Sequence, residues 1–384
     1  MSGFGFSEAQ EMFRTEVRNF AQKELAPRAK ARAKQHKLPR DVVRKLGDMG
    51  LLGIPVPERY CGQGSDWVSF AIGAEEAAKE DLFAGFYMML PPLIYLCLQS
   101  TSNDVRNEWL PRFIKGDKIG AFAITEPDAG SDAAAITTRA ERQGDCYVLN
   151  GEKTSISGGY ECDAAIVFVK TDPSVKAKGV TCFLVPMDLP GVSRSMVPHS
   201  GWKQMAAASI KFEDVRVPVA YRSGEEGKGF YIFAGSGTDF VRPAISIMAL
   251  AQAQTSLDEA VAYALQRTAF GRPIANFEGV SFKIAEHATR IEAARLLCYR
   301  TFYLHDQGQR HTKESAMCKW WCPVVAFDAV HDAILIHGHI GYSEEYPLEQ
   351  RLRDIMGFEF ADGTAQIMKI IIAREMMGRD AVPY

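Results

Sequence analysis

A chain of 384 residues exceeds the usual size of one domain, so we expect two or three domains or one large interlocked unit. Hydrophobic residues at 47% and charged residues at 24% are typical of a soluble globular protein. The formal charge of −3 excludes a general attraction to nucleic acid.

Apolar residues at helical spacing dominate the first third of the chain. The pattern predicts a first helix over residues 7–33, with Ser7 as its N-cap. Residues 83–98 contain Pro91-Pro92, which predicts a buried kinked helix rather than a membrane span. Further helices are predicted at residues 39–49, 67–79 and 104–114. Together they predict an all-helical N-terminal domain over residues 1–119.

The pattern changes near Gly120 to short alternating runs bounded by Gly, Asn, Asp and Pro. Such runs predict strands, at residues 121–125, 146–150, 164–170, 180–185, 209–212 and 215–218. We therefore expect a small β-sandwich or barrel as the middle domain, over residues 120–224. Helical spacing then returns in long amphipathic segments, at residues 238–265, 282–307, 314–336 and 367–377. These predict a C-terminal helical bundle domain over residues 225–384.

Cysteine usage indicates a reducing compartment. Eight cysteines are scattered without a C-x-x-C pair, and Cys318 and Cys322 have no second pair to complete a zinc site. We therefore predict no metal site and a reducing cytosol. The first residues lack a signal-peptide pattern and the last three, Val-Pro-Tyr, match no peroxisomal address, so a cytoplasmic location is expected.

The stretch over residues 351–375 holds the best candidate for a catalytic group. Asp362 is followed by Gly363 and Thr364 between two helical runs, which predicts a break and an N-cap. Backbone N–H groups at such a helix start have no intrahelical partner. A base beside preorganised donors is what removal of a proton alpha to a carbonyl requires. The alternative is an ordinary capping aspartate on a surface loop.

Four sequence blocks resemble the flavin-dependent acyl-CoA dehydrogenase family, and the resemblance spans essentially the whole chain. They are Ala-Ile-Thr-Glu-Pro-Asp-Ala-Gly-Ser-Asp at 123–132, Leu-Asn-Gly-Glu-Lys at 149–153, Arg-Thr-Ala-Phe-Gly at 267–271 and the stretch over 351–375. The resemblance implies a mainly α fold with a β middle domain and a C-terminal four-helix bundle. It also implies FAD held between the β domain and the C-terminal helices. The implied partners are an acyl-CoA substrate, an electron-transfer flavoprotein and the other subunits of a homotetramer, with no nucleic acid and no membrane.

The family reaction removes the alpha proton and a beta hydride from an acyl-CoA thioester, giving the 2-enoyl-CoA. By resemblance Asp362 is the base, where the family usually has Glu, and its backbone N–H is one donor to the thioester oxygen. The other known base position is occupied by Val241, which cannot act. By resemblance, the residues that contact the substrate are Arg242, Asp239 and Gly363. The first two of these contact the CoA moiety.

The resemblance also assigns cofactor contacts. Thr125 meets the flavin pyrimidine, Ser131 a phosphate-side oxygen, and Ser157 approaches flavin N5. Arg267 and Phe270 meet the pyrophosphate and adenine of the FAD of a neighbouring subunit, although a solvated helix-ending Arg remains an alternative for Arg267. The remaining members of the cofactor set are Gly338 and Thr364.

Departures from the family pattern keep other functions open. Ser155 stands where the family often has an aromatic residue packed against the flavin, and Leu335 where a Gln often contacts FAD. His339 puts a side chain where the family usually has none, and Glu278 replaces a common Gln. An oxidase of the same fold, similar to nitroalkane oxidase, also uses an Asp base. A non-catalytic paralogue acting as a binding or assembly partner is the third interpretation.

Bulky side chains over residues 83–90 predict a compact acyl cavity. Leu82 stands where glutaryl-CoA relatives place an Arg, which disfavours a dicarboxylic acyl group. Together with the short base, this favours a branched or alicyclic acyl group, such as a cyclohexane-type carboxyl-CoA.

Overall fold

The computed structural model describes residues 5–382. The expectations about targeting signals rest partly on residues 1–4, 383 and 384, which lie outside the described residues. The N-terminal third is helical, as predicted, with α1 Glu8–Phe20, α2 Ala26–Arg32, α3 Arg40–Asp48, α4 Trp67–Glu80, α5 Leu82–Leu98 and α6 Asn103–Ile114. Ser7 caps α1 in a capping box with Gln10, and Pro91 and Pro92 lie inside α5, which continues through them.

The middle of the chain forms strands, as predicted. They are β1 Gly120–Ala123, β2 Arg139–Gln143, β3 Cys146–Ile156, β4 Ala164–Lys170, β5 Val180–Pro186, β6 Val192–Met196, β7 Ala208–Pro218 and β8 Arg222–Ser223. All eight belong to one sheet in the order β6-β7-β3-β2-β4-β5-β8, with β1 paired to β4. β1 runs parallel to β4, whereas the long β3–β7 and β4–β5 ladders are antiparallel.

The rest of the chain is mainly helical. It contains α7 Gly229–Ile232, α8 Thr238–Gln266, the short hairpin of β9 Thr268–Ala269 and β10 Arg272–Pro273, and then α9 Glu278–Asp306, α10 Thr312–His337, α11 His339–Tyr342, α12 Leu348–Phe358 and α13 Ala365–Met377. The four predicted long helices are all present, with bounds that differ from the predicted ones by at most four residues. Among the described residues, none of these helices is both long and apolar enough to cross a bilayer.

Contacts divide the chain into two compact units. We call Met1–Ala33, Trp67–Phe86 and Val241–Tyr384 the helical unit, and Lys34–Asp66 and Tyr87–Phe240 the mixed unit. This division differs from the three predicted segments, whose borders stay a prediction.

The mixed unit is built on the apolar faces of its sheet. Tyr147 and Phe183 meet edge to face with ring centroids 4.9 Å apart, and both side chains are fully buried. β4 and β5 are buried along their whole lengths, so both faces of these strands are covered. This burial holds the loops that precede and follow the strands in fixed positions.

The helical unit packs through small residues and apolar ridges. A Cβ at Gly85 of α5 would lie 3.0 Å from the carbonyl oxygen of Ala74 and 3.2 Å from the Cγ of Met248. No larger residue fits there without movement, so α4, α5 and α8 approach closely. α8, α10 and α12 share a small core of Ala260, Ala333, Ile334 and Leu348. This core fixes α12, the helix that precedes the predicted base.

Candidate active site

Asp362 lies in the loop between α12 and α13, as the sequence predicts. Its backbone is left-handed, with φ of 54°, and Gly363 follows with φ of 108°. Thr364 is the N-cap of α13, and its hydroxyl accepts a hydrogen bond from the Ile367 N–H at 3.4 Å. Aspartate tolerates the left-handed conformation better than most residues. The break, the carboxylate and the helix cap therefore coincide at one point.

The electrostatics of Asp362 favour a basic carboxylate. The residue is exposed to solvent, yet the protein around its carboxylate desolvates it and raises its pKa above the ordinary value. The Lys319 ammonium and the Arg242 guanidinium act in the opposite direction. A carboxylate with a raised pKa accepts a proton more readily than an isolated aspartate does.

Lys319 of α10 is a residue that the sequence reasoning missed. Its side chain is fully buried, and its Nζ lies 3.4 Å from the carbonyl oxygen of Glu359, just after α12. Burial lowers the pKa of Lys319 to about 8, although attraction to Asp362 opposes this shift. The available signal was a single lysine in an otherwise apolar helical run, because lysine is almost never fully buried without a reason.

Arg242 and Asp239 occupy α8 three residues apart, so their side chains project from one face of that helix. Arg242 is buried at 7% exposure, and Asp239 is half-buried. The carbonyl oxygen of Arg242 accepts a hydrogen bond from the Ser246 hydroxyl at 2.7 Å. The electrostatic interaction of Arg242 with Asp362 places two predicted site residues of the helical unit together.

In the mixed unit, a buried ion pair holds the Thr125 loop. Lys153 of β3 is fully buried, and its Nζ donates to Glu126 Oε1 at 2.7 Å and to the Ile124 carbonyl oxygen at 3.0 Å. Glu126 also accepts hydrogen bonds from the N–H groups of Thr137 at 2.6 Å and Thr138 at 3.0 Å. The backbone on both sides of Thr125 is thereby fixed.

Burial disfavours the charged form of both residues in this pair. It would raise the pKa of Glu126, but the charge of Lys153 and the surrounding hydrogen bonds outweigh it and hold that pKa at about 2. Burial lowers the pKa of Lys153 to about 8, although Glu126 opposes the shift. The sequence blocks contain both residues, yet nothing in the sequence reasoning paired them.

We predict that Lys153→Met destabilises the protein by about 3–5 kcal/mol at neutral pH, because it leaves Glu126 buried without its counter-charge. Wild-type Glu126 has a pKa of about 2, below its ordinary value of 4.5, so its contribution is lost as the pH falls through that interval. In the variant Glu126 is protonated at higher pH. The difference in free energy of unfolding should therefore shrink below pH 5, which denaturant titrations from pH 3 to 8 would measure.

The double variant Lys153→Met/Glu126→Gln is the control, because it removes both charges. It should be more stable than Lys153→Met at neutral pH. An equal or lower stability of the double variant would show that Lys153 acts by packing alone.

The end of β3 carries two further predicted positions. Ser155 is exposed and left-handed, with φ of 56°, and lies in a bulge where the pairing of β3 with β7 shifts register. Ser157 follows and is half-buried, while Ser131 is exposed in the Thr125 loop. Bulges often re-aim side chains beside active sites. The departure at Ser155 thus falls at a position with specialised backbone geometry.

The hairpin of β9 and β10 presents Phe270. Its φ is 52° and its side chain is 94% exposed, whereas the next residue, Gly271, tolerates its φ of 79°. Arg267, just after α8, is also exposed, and its guanidinium forms no ion pair with a described residue. An exposed aromatic face held in a strained turn beside an unpaired Arg fits an adenine ring and a pyrophosphate.

The end of α10 holds the last predicted position. Gly338 ends this helix with φ of 67° and is exposed, as is His339 after it. Leu335, one turn earlier, is 58% exposed. Two of the residues that depart from the family pattern, Leu335 and His339, are therefore at the surface of the helical unit.

Comparison with known families covers nearly the whole chain. Models of the acyl-CoA dehydrogenase N-terminal, middle and C-terminal domains match residues 7–117, 121–215 and 227–377. The chain belongs to the acyl-CoA dehydrogenase family. It is therefore an oxidoreductase with the family's three-domain fold, and FAD is the family's cofactor.

Similar proteins include the short-chain specific acyl-CoA dehydrogenase of Rattus norvegicus mitochondria, 40% identical over 96% of this chain and 90% of the relative. The acryloyl-CoA reductase (NADH) of Anaerotignum propionicum is 38% identical over 98% of this chain and 96% of its own. Among solved structures, butyryl-CoA dehydrogenase from Megasphaera elsdenii matches with a TM-score of 0.93 and 31% identity, covering 98% of this chain and 100% of that one.

Proposed function

We propose that this protein oxidises an acyl-CoA thioester to the 2-enoyl-CoA, with Asp362 as the base that removes the alpha proton. The observation that carries the proposal is the Asp362 loop. A carboxylate of raised pKa stands at the N-terminal end of α13, with Lys319 and Arg242 as its cationic neighbours. The family membership supplies the reaction class, whereas the role of each residue is our inference.

The bond changes follow from this placement. The alpha C–H bond breaks, and its proton moves to a carboxylate oxygen of Asp362. The alpha–beta double bond forms as the beta hydrogen leaves with its electron pair. FAD, when bound, supplies the acceptor for this hydride. Negative charge develops on the thioester oxygen, and the Asp362 N–H, which donates to no described residue, is free to donate to that oxygen.

The cofactor-binding roles of Thr125, Ser131, Ser157, Gly338 and Thr364 are part of the same proposal. The Lys153–Glu126 pair supports the first of these by fixing its loop. Arg242 and Asp239 are proposed to contact CoA, and Gly363 to line the substrate beside the base. An electron-transfer flavoprotein as acceptor and a homotetramer as the assembly remain proposals, as does a cytoplasmic location.

The acyl group is proposed to be compact. Residues 82–94 of α5 are all buried, and the bulky side chains among them favour a small acyl cavity beside the helix that the family uses for the acyl chain. The rat relative is named for short chains. Asp362 reaches one methylene less far than Glu, which favours a branched or alicyclic group whose alpha carbon lies closer. Comparing kcat/KM for butyryl-, isobutyryl-, cyclohexanecarboxyl- and octanoyl-CoA tests this point, and a large preference for octanoyl-CoA would refute it.

We predict that Arg267→Ala lowers FAD retention by at least tenfold, because a guanidinium that pairs with no described residue is offered to the pyrophosphate. The measurement is the ratio of bound flavin to protein after gel filtration, with FAD affinity from fluorescence titration. The control is Arg142→Ala, which removes an exposed arginine of the mixed unit and should retain FAD. Normal retention in Arg267→Ala would favour a solvated surface Arg.

One observation favours a second function, a flavin oxidase similar to nitroalkane oxidase. The base is an aspartate, as in that enzyme, rather than the usual glutamate. Rapid oxygen consumption with nitroethane, and none with any acyl-CoA, would select the oxidase. A protein that purifies without flavin and takes up none would instead favour the non-catalytic binding partner.

A further inference from the structure

Three buried thiols converge between α9 and α10. Cys298 lies on α9, and Cys318 and Cys322 lie one turn apart on α10. All three side chains have 0% exposure, and their sulfur atoms lie within 4.8 Å of one another. The Sγ atoms of Cys298 and Cys322 are 3.7 Å apart. The sequence reasoning found no zinc site because it considered only Cys318 and Cys322, whereas the fold brings a third thiol to that pair.

The surroundings of the cluster are polar enough to support a thiolate. The Thr301 hydroxyl lies 3.4 Å from the Cys318 sulfur. The Lys319 ammonium, fully buried in the same turn of α10, attracts negative charge on Cys322. One hydroxyl and one cation therefore lie beside the three sulfur atoms inside the helical unit.

We propose that Cys298, Cys318 and Cys322 form a three-coordinate binding site for a soft monovalent cation, namely Cu(I). Metal–thiolate bonds of about 2.3 Å place the sulfurs of a planar trigonal site about 4.0 Å apart. The observed separations, 3.7 Å for one pair and at most 4.8 Å for all, need only small side-chain rotations to reach that triangle.

The donor set decides which ion is preferred. No His, Asp, Glu or further Cys of residues 5–382 joins the group. A structural zinc ion requires four strong ligands, so this site lacks one. Soft thiolates bind Cu(I), Zn and Fe–S clusters. Zinc and the clusters ordinarily take four protein ligands, so a set of three thiols favours Cu(I).

Binding of Cu(I) to the three thiols releases protons. Up to three S–H bonds break as three Cu–S bonds form, and the released protons pass to solvent. The resulting site carries up to two negative charges, which the Lys319 ammonium partly offsets. The copper remains Cu(I) throughout, so no oxidant or reductant is consumed. The site is separate from the proposed reaction, and its test does not depend on catalytic activity.

The test is an anaerobic titration of the full chain, fully reduced, with Cu(I) buffered by bicinchoninate. Because the thiols are enclosed, each point is equilibrated for many hours. Cys61→Ser/Cys146→Ser serves as the background, because these replacements remove the exposed and half-exposed thiols. We expect one Cu(I) per chain, an ultraviolet thiolate-to-copper band, and three sulfur neighbours at about 2.3 Å by X-ray absorption.

Variants of the cluster locate the ion. Cys318→Ala and, separately, Cys322→Ser in that background should each weaken binding by more than the ~10–100-fold that loss of a supporting hydrogen-bond partner costs. Cys162→Ala removes a buried thiol outside the cluster and should leave the affinity unchanged. Circular dichroism and thiol counts under denaturing conditions establish that each variant is folded and reduced.

Three results would overturn the proposal. The first is a folded, fully reduced background protein that takes up no Cu(I) after equilibration. The second is stoichiometric uptake that survives both cluster variants, which would place the ion elsewhere. Tight Zn(II) binding without Cu(I) binding would equally contradict the trigonal assignment.

Discussion

Asp362→Asn should lower turnover of an acyl-CoA by about 10²–10⁴-fold or more while leaving the bound flavin content unchanged. The amide has nearly the same shape as the carboxylate, but it cannot take the alpha proton. Its loop should keep its geometry, because the Thr364 cap and Gly363 are untouched. Steady-state turnover with an artificial electron acceptor measures the first effect, and the flavin absorbance measures the second.

Two matched variants show whether this effect is specific to the Asp362 carboxylate. Asp258→Asn, on the exposed face of α8, changes a carboxylate outside the proposed site and should leave turnover unchanged. Asp362→Glu restores the family's usual base and should remain active, with a preference moved toward straight-chain esters. If Asp362→Asn turns over at the wild-type rate, Asp362 is only a loop residue beside the Thr364 cap.

Lys319→Met should move the acidic limb of the kcat/KM profile toward higher pH, by about 1 on the pH scale or more. The ammonium of Lys319 stabilises the ionised form of Asp362, so removing it raises the pKa of that carboxylate further. The base works only when it is ionised. An acidic limb that lies about 1 pH unit higher therefore lowers kcat/KM about tenfold at each pH value below the limb. The profile measured from pH 5 to 9 tests this.

The same variant separates an electrostatic role from a structural one. Unlike Lys153, Lys319 forms no close ion pair with a described residue, so replacing its buried ammonium by an apolar chain leaves no buried counter-charge and a folded variant is expected. Lys283→Met removes a half-exposed ammonium that pairs with Asp332 between α9 and α10, and it should leave the limb in place. An unchanged limb in Lys319→Met would show that Lys319 does not act on the base.

Local signals predicted much of the fold and the location of the base. The Asp362-Gly363-Thr364 break and the cap of α13 follow from residue preferences that act over a few positions. The switch from helical to alternating pattern near Gly120 likewise depends on short-range periodicity. These features required no knowledge of which distant segments meet.

Errors in the predicted elements have local physical causes. The single helix predicted over residues 7–33 is interrupted by a π-helical segment at Ala21–Leu25, next to Pro27, which lacks an N–H. The two strands predicted at 209–212 and 215–218 are one strand, β7. Asp214 adopts φ of 52° and receives a hydrogen bond from the Asn150 amide, so the ladder continues past an irregularity rather than ending in a turn.

Long-range partners could not be read from the sequence. Lys319 precedes Asp362 by 43 positions, and Cys298 precedes Cys318 by 20, and only the packing of α9, α10 and the Asp362 loop brings each pair together. The pairing of Lys153 with Glu126 depends in the same way on the sheet. Buried polar residues in apolar runs are the sequence signal for such partners, although that signal does not say which partner is used.

The most direct test of the proposed function is an anaerobic titration of the purified yellow protein, recorded by its visible spectrum. Straight, branched and alicyclic acyl-CoA esters would be added one at a time. The account predicts that a compact ester bleaches the flavin band in wild type and fails to do so in Asp362→Asn. Flavin that no ester bleaches, or that bleaches equally in Asp362→Asn, would contradict acyl-CoA oxidation with Asp362 as the base.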